Sequence, residues 1–169
     1  QNRHELYDTF QIPKKSGGLR TINAPVPRLM ESLRELKTIF ETDFHALYHT
    51  SAYAYIPHRS TIDSVKRHQK NESWWFLKTD FHDFFGSTTK DFILKQFGMI
   101  FPFCLVLENA EGHRLMDQCI DLCMLDGGLP QGTPISPLIT NVMMIPIDHT
   151  IANELHKHGY IYTRYADDS

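Results

Sequence analysis

The sequence predicts an α+β fold. Three observations carry that expectation: a short Gly-Gly hairpin near the start, several stretches with apolar residues every three or four positions, and two separated β-rich segments that each end in acidic residues. In "FQIPKKSGGLRTINAP" two short strands flank a Ser16-Gly17-Gly18 turn. Pro25 and Pro27 follow. Met30, Leu33, Leu36, Phe40, Phe44 and Leu47 then place an amphipathic helix over about 28–48. Ser60, with Asp63 three positions later, forms a capping-box pattern that opens a helix over 60–70. "WWFLKTDF" is a continuous apolar run ending in an acid, the pattern of a buried central strand over 74–80, with Trp74 and Trp75 in core packing.

The second half alternates in the same way. A helix over about 88–97 should stop at Gly98, and another spans about 113–124. "LDGGLPQGTP" is a loop. From Ser136 to His158 a helical pattern runs on, bent at Pro146 and closed by Gly159. "YIYTRYADD" is aromatic and β-branched, a strand over 160–166 that delivers two acids to its end.

Composition sets outer bounds. The chain has 169 residues, 41% apolar and 22% charged, ordinary for a globular protein. No run approaches the roughly 18 apolar residues of a membrane helix, and no signal region opens the chain, so no membrane partner is expected. It starts Gln1-Asn2-Arg3 without Met and reads as cut from a longer protein. Three cysteines, an odd number, read as reduced thiols of a cytoplasmic protein. Net charge is −3, distributed as +4 over 1–70 and −7 over 71–169. A basic leading part can contact phosphates and an acidic trailing part can hold divalent cations, although chance variation along a surface gives the same numbers.

The informative acids lie at strand ends. Asp80 ends the first strand, and Asp167 and Asp168 end the second. If the strands are neighbours, three carboxylates meet at one rim; the alternative is that these are solvated turn acids. Such a cluster costs free energy unless cations neutralise it. Oxygen-only ligation suits Mg²⁺. Two ions about 3.5–4 Å apart would activate a primer 3′-hydroxyl and stabilise leaving pyrophosphate.

"YADD", Tyr165 to Asp168, resembles the tetrapeptide at the heart of reverse transcriptases. "FLKTDFHDFF", residues 76–85, resembles the first acidic motif of that family, and "GLPQGTPISP", residues 128–137, the motif between the two. "IPKKSGGLRTI" resembles the fingertip hairpin, and "SAYAYIPHRSTIDSV", residues 51–65, the segment found before the first acidic motif in bacterial members. Five motifs stand in the family's order over nearly the whole chain. Their wording is closest to retron and group II intron enzymes.

The resemblance implies a right-hand polymerase with fingers at 1–73 and 87–133 and palm at 74–86 and 134–169, the palm an antiparallel sheet backed by helices. The thumb would be absent, as would the returning strand after "YADD", so this piece alone should extend primers poorly. Asp80, Asp167 and Asp168 would hold two Mg²⁺, with Mn²⁺ a possible substitute, and Phe81 would add a backbone carbonyl. Partners would be an RNA template, a DNA or RNA primer and dNTPs; a cognate structured RNA also fits the retron and intron kinds.

Around the incoming dNTP, Arg20 and either Lys14 or Lys15 would fold down on the triphosphate from the hairpin tip. Phe85 would pack under the sugar and leave no room for a 2′-hydroxyl. One of Phe84 and Phe85 should be core, because consecutive strand side chains face opposite ways. Asp83 and Phe84 lie in the same motif and are assigned to the pocket with it. Gln131 and Gly132 would approach the nucleotide from the loop. Arg59 would bind a template phosphate, and Lys66, Arg67 and Lys70 give the next helix a basic face that is either functional or merely solvated.

Other signals carry less. Glu41, His45 and His49 share a helical spacing that zinc sites use, without a further ligand. Cys119 and Cys123, one turn apart, fit a core face. Two other functions compete. An RNA-directed RNA polymerase shares the acids but tends to carry a polar residue in place of Phe85. A non-catalytic nucleic-acid-binding or phage-defence module would not need all three acids.

Overall fold

Local hydrogen bonding shapes the first elements of the computed structural model, which describes residues 3–14, 17–42, 48–69 and 74–167. A 3₁₀ turn, Arg3–Leu6, leads into β1 (Tyr7–Pro13), which pairs antiparallel with β2 (Leu19–Pro25) so that Phe10 faces Ile22 and Ile12 faces Arg20. The connecting turn needs left-handed backbone. Gly17 (φ +90°) and Gly18 (φ +82°) supply it, and the Lys14 N–H donates to the Gly18 carbonyl at 3.0 Å. Helix α1 (Pro27–Thr42) starts on a proline whose missing N–H is unneeded there. The predicted continuation to 48 runs into residues outside those described.

Helix α2 (Thr61–Gln69) opens on the predicted capping box: the Asp63 carboxylate accepts from the Ser60 N–H at 2.9 Å, and the Ser60 hydroxyl accepts from the Asp63 N–H at 3.3 Å. Helix α3 (Lys90–Phe97) is capped by Thr89, which accepts from the Phe92 N–H. It ends at Gly98 as predicted, but Gly98 stays right-handed (φ −61°) because the chain turns on towards another helix. That helix, α4 (Phe103–Glu108), is not legible in the sequence. Asn109 then caps α5 (Ala110–Leu122), which begins earlier than the predicted 113. The α4–α5 corner is tight: a Cβ on Gly112 would lie 2.3 Å from the Val106 carbonyl oxygen.

The long C-terminal helix is two helices, α6 (Ser136–Met143) and α7 (Ile145–Lys157). The break falls at Met144, two residues before Pro146, because proline cannot donate to the carbonyl four residues back and its ring crowds it. Gly159 (φ +76°) follows α7.

These helices enclose one core. Leu33 and Phe40 of α1 meet Ile93 and Phe97 of α3, Phe103 of α4, Ile120 of α5, and Leu138, Ile139 and Val142 of α6. Phe97 and Phe103 are tilted rings 4.6 Å apart, with Phe40 against both. α6 is buried almost all round.

The α+β class holds: helices with a two-stranded antiparallel sheet. The palm strands are a correction. Residues 75–79 belong to no strand, and Trp74 and Trp75 are 91% and 92% exposed rather than packed in a core. An apolar run is a strand only where neighbours offer N–H and C=O partners on both edges. Here only Asp80, at the end of the run, takes part in a β-bridge among the described residues. Likewise 160–166 joins its neighbours only around Arg164 and Tyr165, Arg164 in a parallel bridge to Ala52. Among the described residues no helix is long and apolar enough to cross a membrane.

Truncating Phe97 to Ala would empty the centre of the aromatic cluster. The expected cost is about 3–5 kcal/mol, read as a lower midpoint in urea.

Candidate active site

A buried ion pair organises the acidic end of the chain. Arg164 is 1% exposed and Asp148, on α7, is fully buried. The Arg164 Nε donates to Asp148 Oδ1 at 2.9 Å and its Nη2 to Oδ2 at 2.9 Å, a fork-to-fork geometry. The Tyr162 hydroxyl donates to Asp148 Oδ1 at 2.8 Å. Burial, and then the adjacent carboxylate, push the Tyr162 pKa well above the ordinary phenol value, so it stays a donor. Arg164 Nη2 also reaches Asn141 Oδ1, whose amide donates to the Ala54 carbonyl at 2.8 Å. Backbone bonds Arg164 N–H to Ser51 O (2.7 Å) and Tyr53 N–H to Arg164 O (2.9 Å) fasten the 51–54 loop alongside.

The acids sit just beyond. The Phe81 N–H donates to the Asp167 carbonyl at 3.2 Å, so the segment carrying Asp80 runs beside the one carrying Asp167. Asp80 is exposed and Asp167 half-buried. Among the described residues neither pairs with a cationic side chain. Asp168 lies outside the described residues, and no group of three metal-ligating side chains forms among those described. The side chains of Asp80 and Asp167 offer only oxygen donors. That set fits a hard divalent cation and excludes a thiolate site.

Residues after Asp80 turn sharply. Asp83 has φ +47°, its carbonyl accepts from the Ser87 N–H at 2.8 Å, and the Thr88 hydroxyl donates to the Phe84 carbonyl at 2.6 Å. One Phe of the pair is core, as expected, but through this turn and not through strand alternation. Phe84 is buried, stacked on Phe81 at 5.4 Å and edge-on to Phe85, which is half-buried.

The glycine-containing loop is strapped to this turn and to the hairpin. The Leu129 N–H donates to the Phe85 carbonyl at 2.9 Å, and a Cβ on Gly128 would stand 2.2 Å from the Gly86 carbonyl oxygen. The Asn23 N–H donates to the Gln131 carbonyl at 2.8 Å, and Gly132 (φ +111°) lies against Ile22. Thr133 and Ser136, both buried, close the loop: the Ser136 hydroxyl donates to the Pro130 carbonyl. Lys14 and Arg20 are exposed near the hairpin tip; Lys15 lies outside the described residues.

Tyr55, which sequence reasoning missed, joins these parts. It has φ +58° and is more than half exposed. Partial burial raises its pKa, the charges of Asp167 and Tyr165 raise it further, and Arg20 opposes them. The hairpin cation and the acid therefore act on one ring. A left-handed tyrosine is costly, and no sequence signal announces it. Arg164 and Asp148 were also missed; a lone Arg in an apolar strand and a lone Asp inside an apolar helix were the available signals.

Arg59 is placed differently from a free phosphate ligand. Its Nη1 donates to the carbonyls of His49 (2.8 Å) and Ala52 (2.6 Å), and its guanidinium lies 5.9 Å from the Tyr53 ring centre. Of the discounted zinc pattern, His45 lies outside the described residues. His49 instead accepts from the Ser51 N–H through Nδ1 at 3.2 Å. All three cysteines are free, and burial pushes the Cys123 thiol up to about 12.

Comparison with known proteins agrees with this architecture. The fold is a fingers-and-palm polymerase fold: the structure of apo telomerase from Candida tropicalis, truncated from its C-terminal domain, superposes with TM-score 0.52 over 96% of this chain and 42% of that one, at 13% identity. Residues 12–169 match the profile of the family described as reverse transcriptase (RNA-dependent DNA polymerase), and the chain belongs to that family. It is 29% identical to the retron Ec83 reverse transcriptase of Escherichia coli over 96% of its length and 51% of the relative. It is 30% identical to the retron Mx65 reverse transcriptase of Myxococcus xanthus over 99% of its length and 40% of that protein. It also resembles, at 24%, the putative COX1/OXI3 intron 1 protein of Saccharomyces cerevisiae, over 86% of this chain and 18% of the relative. The chain thus spans about half or less of the length of these relatives.

Two outcomes are expected. Gly128→Ala must displace the backbone at Gly86, and should cost more than about 2 kcal/mol in denaturant unfolding, against under about 1 kcal/mol for Gly98→Ala, whose backbone is right-handed and whose added Cβ would meet nothing closer than 3.5 Å. Burial lowers the pKa of His49 and of His68, whose Nε2 lies 2.8 Å from the Thr163 hydroxyl. Their unfolded value is 6.5. The unfolded chain therefore binds more protons below that pH, and stability present above it is lost on acidification. The thermal midpoint should fall from pH 7 to pH 5.5, less so in a His49→Asn/His68→Asn variant.

Proposed function

We propose that the protein to which this chain belongs is an RNA-directed DNA polymerase, adding dNTPs to a primer 3′-hydroxyl on an RNA template. The observation that carries this is the Phe81–Asp167 backbone bond, which sets Asp80 beside the "YADD" turn. Family membership implies a divalent metal. Asp80, Asp167 and Asp168, with the Phe81 carbonyl, would hold two Mg²⁺, Mn²⁺ being a substitute. Bound there, the ions lower the pKa of the primer hydroxyl and neutralise the leaving pyrophosphate.

The remaining work is positioning and electrostatics by the chain's own groups. Lys14, Lys15 and Arg20 meet the triphosphate from the hairpin, whose register with the loop is held by the Asn23–Gln131 bond. Phe85, backed by Phe84, lies under the sugar and excludes a 2′-hydroxyl. Asp83 shapes the turn beneath. Gln131 and Gly132 border the nucleotide, and the guanidinium nitrogens of Arg59 not engaged with His49 and Ala52 face a template phosphate. Fingers at 1–73 and 87–133 and palm at 74–86 and 134–169 follow from these roles. A structured RNA as cognate partner and a cytoplasmic setting fit the retron likeness and the free thiols. Phe85 favours this reading over RNA-directed RNA synthesis.

Primer extension by the full-length protein is the test. Asp80→Asn should lower kcat by at least about 10²–10³-fold with primer–template affinity kept; activity equal to wild type would remove this carboxylate from the reaction. Phe85→Val should raise ribonucleotide use relative to dNTP use by about tenfold or more. Unchanged sugar discrimination would refute the steric gate.

A further inference from the structure

Resting on the proposed role of Asp167, we infer that Arg164 is a positioning residue that sets the Asp167 carboxylate for metal binding, through the carbonyl of Ala166. The guanidinium is planar and its five donors keep fixed directions. Asp148 takes Nε and Nη2, and Asn141 Oδ1 takes Nη2 as well, at 3.2 Å. Those two side chains come from α7 and α6, so the plane is set by the helical core. The remaining nitrogen, Nη1, donates to the Ala166 carbonyl at 2.9 Å.

That carbonyl belongs to the peptide joining Ala166 to Asp167. Ala166 is left-handed (φ +59°), a conformation alanine does not hold unaided. On the far side, the Asp167 carbonyl accepts from the Phe81 N–H. The backbone of the acid is thus clamped at both of its flanking carbonyls, one clamp being Arg164. Fold stability alone is a weak reason to keep the ion pair, since buried pairs are commonly replaced by apolar residues without loss. Directionality is a stronger one. A lysine retains the charge for Asp148 but cannot serve Asp148, Asn141 and Ala166 together. The same Asn141 holds the carbonyl of Ala54, next to Tyr55, so a single network fixes two of the strained residues around the acid.

The full-length protein tests this with Arg164→Lys, Tyr162→Phe and Asp80→Asn beside wild type. Mn²⁺ bound to the free protein is counted from loss of the free-ion EPR signal. The Mg²⁺ concentration for half-maximal primer extension, primer–template Kd and thermal midpoint without metal are measured in parallel. Arg164→Lys should weaken Mn²⁺ binding and raise the Mg²⁺ requirement about tenfold or more, recover activity at high Mg²⁺, and leave primer–template Kd within twofold. Tyr162→Phe, which removes one donor to Asp148 and keeps the Ala166 bond, should lower the midpoint without moving the metal dependence. If Arg164→Lys will not fold, Asn141→Ala carries the same test, because it removes one of the two side chains that set the guanidinium plane while keeping the ion pair. Metal dependence unchanged in the folded variant, or shifted equally by Tyr162→Phe, overturns the positioning role. An Asp80→Asn protein with wild-type metal binding and activity would instead overturn the carboxylate assignment on which it rests.

Discussion

The Arg164–Asp148 pair is the constraint on which the rest of this structure depends. Both groups are out of water, and removing one partner leaves a buried charge, typically a loss of about 3–5 kcal/mol. Because the pair joins α7 to the segment before "YADD", it forces that segment against the helical layer. The Ser51–Ala54 loop then docks on its edge by two backbone bonds. The sheet that would ordinarily do this is reduced to single bridges among the described residues, so side-chain geometry substitutes for a ladder.

A second constraint is steric. Gly128 and Gly132 let the loop 125–134 lie directly on the backbone of Gly86 and of the β2 strand. Three motifs far apart in sequence thereby become one surface: hairpin, post-Asp80 turn and glycine loop. Two of the contacts are backbone hydrogen bonds, Leu129 to Phe85 and Asn23 to Gln131, and a third is the close main-chain approach of Gly128 to Gly86. The loop itself holds three glycines and two prolines around a single glutamine.

What the sequence discloses follows from range. The hairpin, the Ser60–Asp63 box and the stop at Gly98 depend on residues within four positions, and all are found where the pattern places them. Motif order revealed the family because five patterns are jointly improbable. α4 escaped notice because six residues hold too little periodicity to read. The 74–80 strand misled because apolar character reports a demand for burial, not a place in a sheet. Arg164 was invisible as an organiser: its partners Asp148 and Asn141 are 16 and 23 positions away on other elements. The adjacency of the Asp80 and Asp167 segments was legible from the two acid-ended motifs, although not from the strands expected to carry them, while Tyr55 depended on a backbone conformation that sequence does not encode locally.

Both tryptophans of the chain stand side by side in the uncovered 74–77 segment, almost wholly in water. Indole emission from the native state will therefore already lie close to that of the denatured chain. Tryptophan fluorescence is consequently a poor probe of global unfolding here, which tyrosine signals or far-UV dichroism must follow instead. It becomes a clean reporter for a different event, the arrival of any apolar surface over Trp74 and Trp75, because that alone would shift the spectrum to the blue.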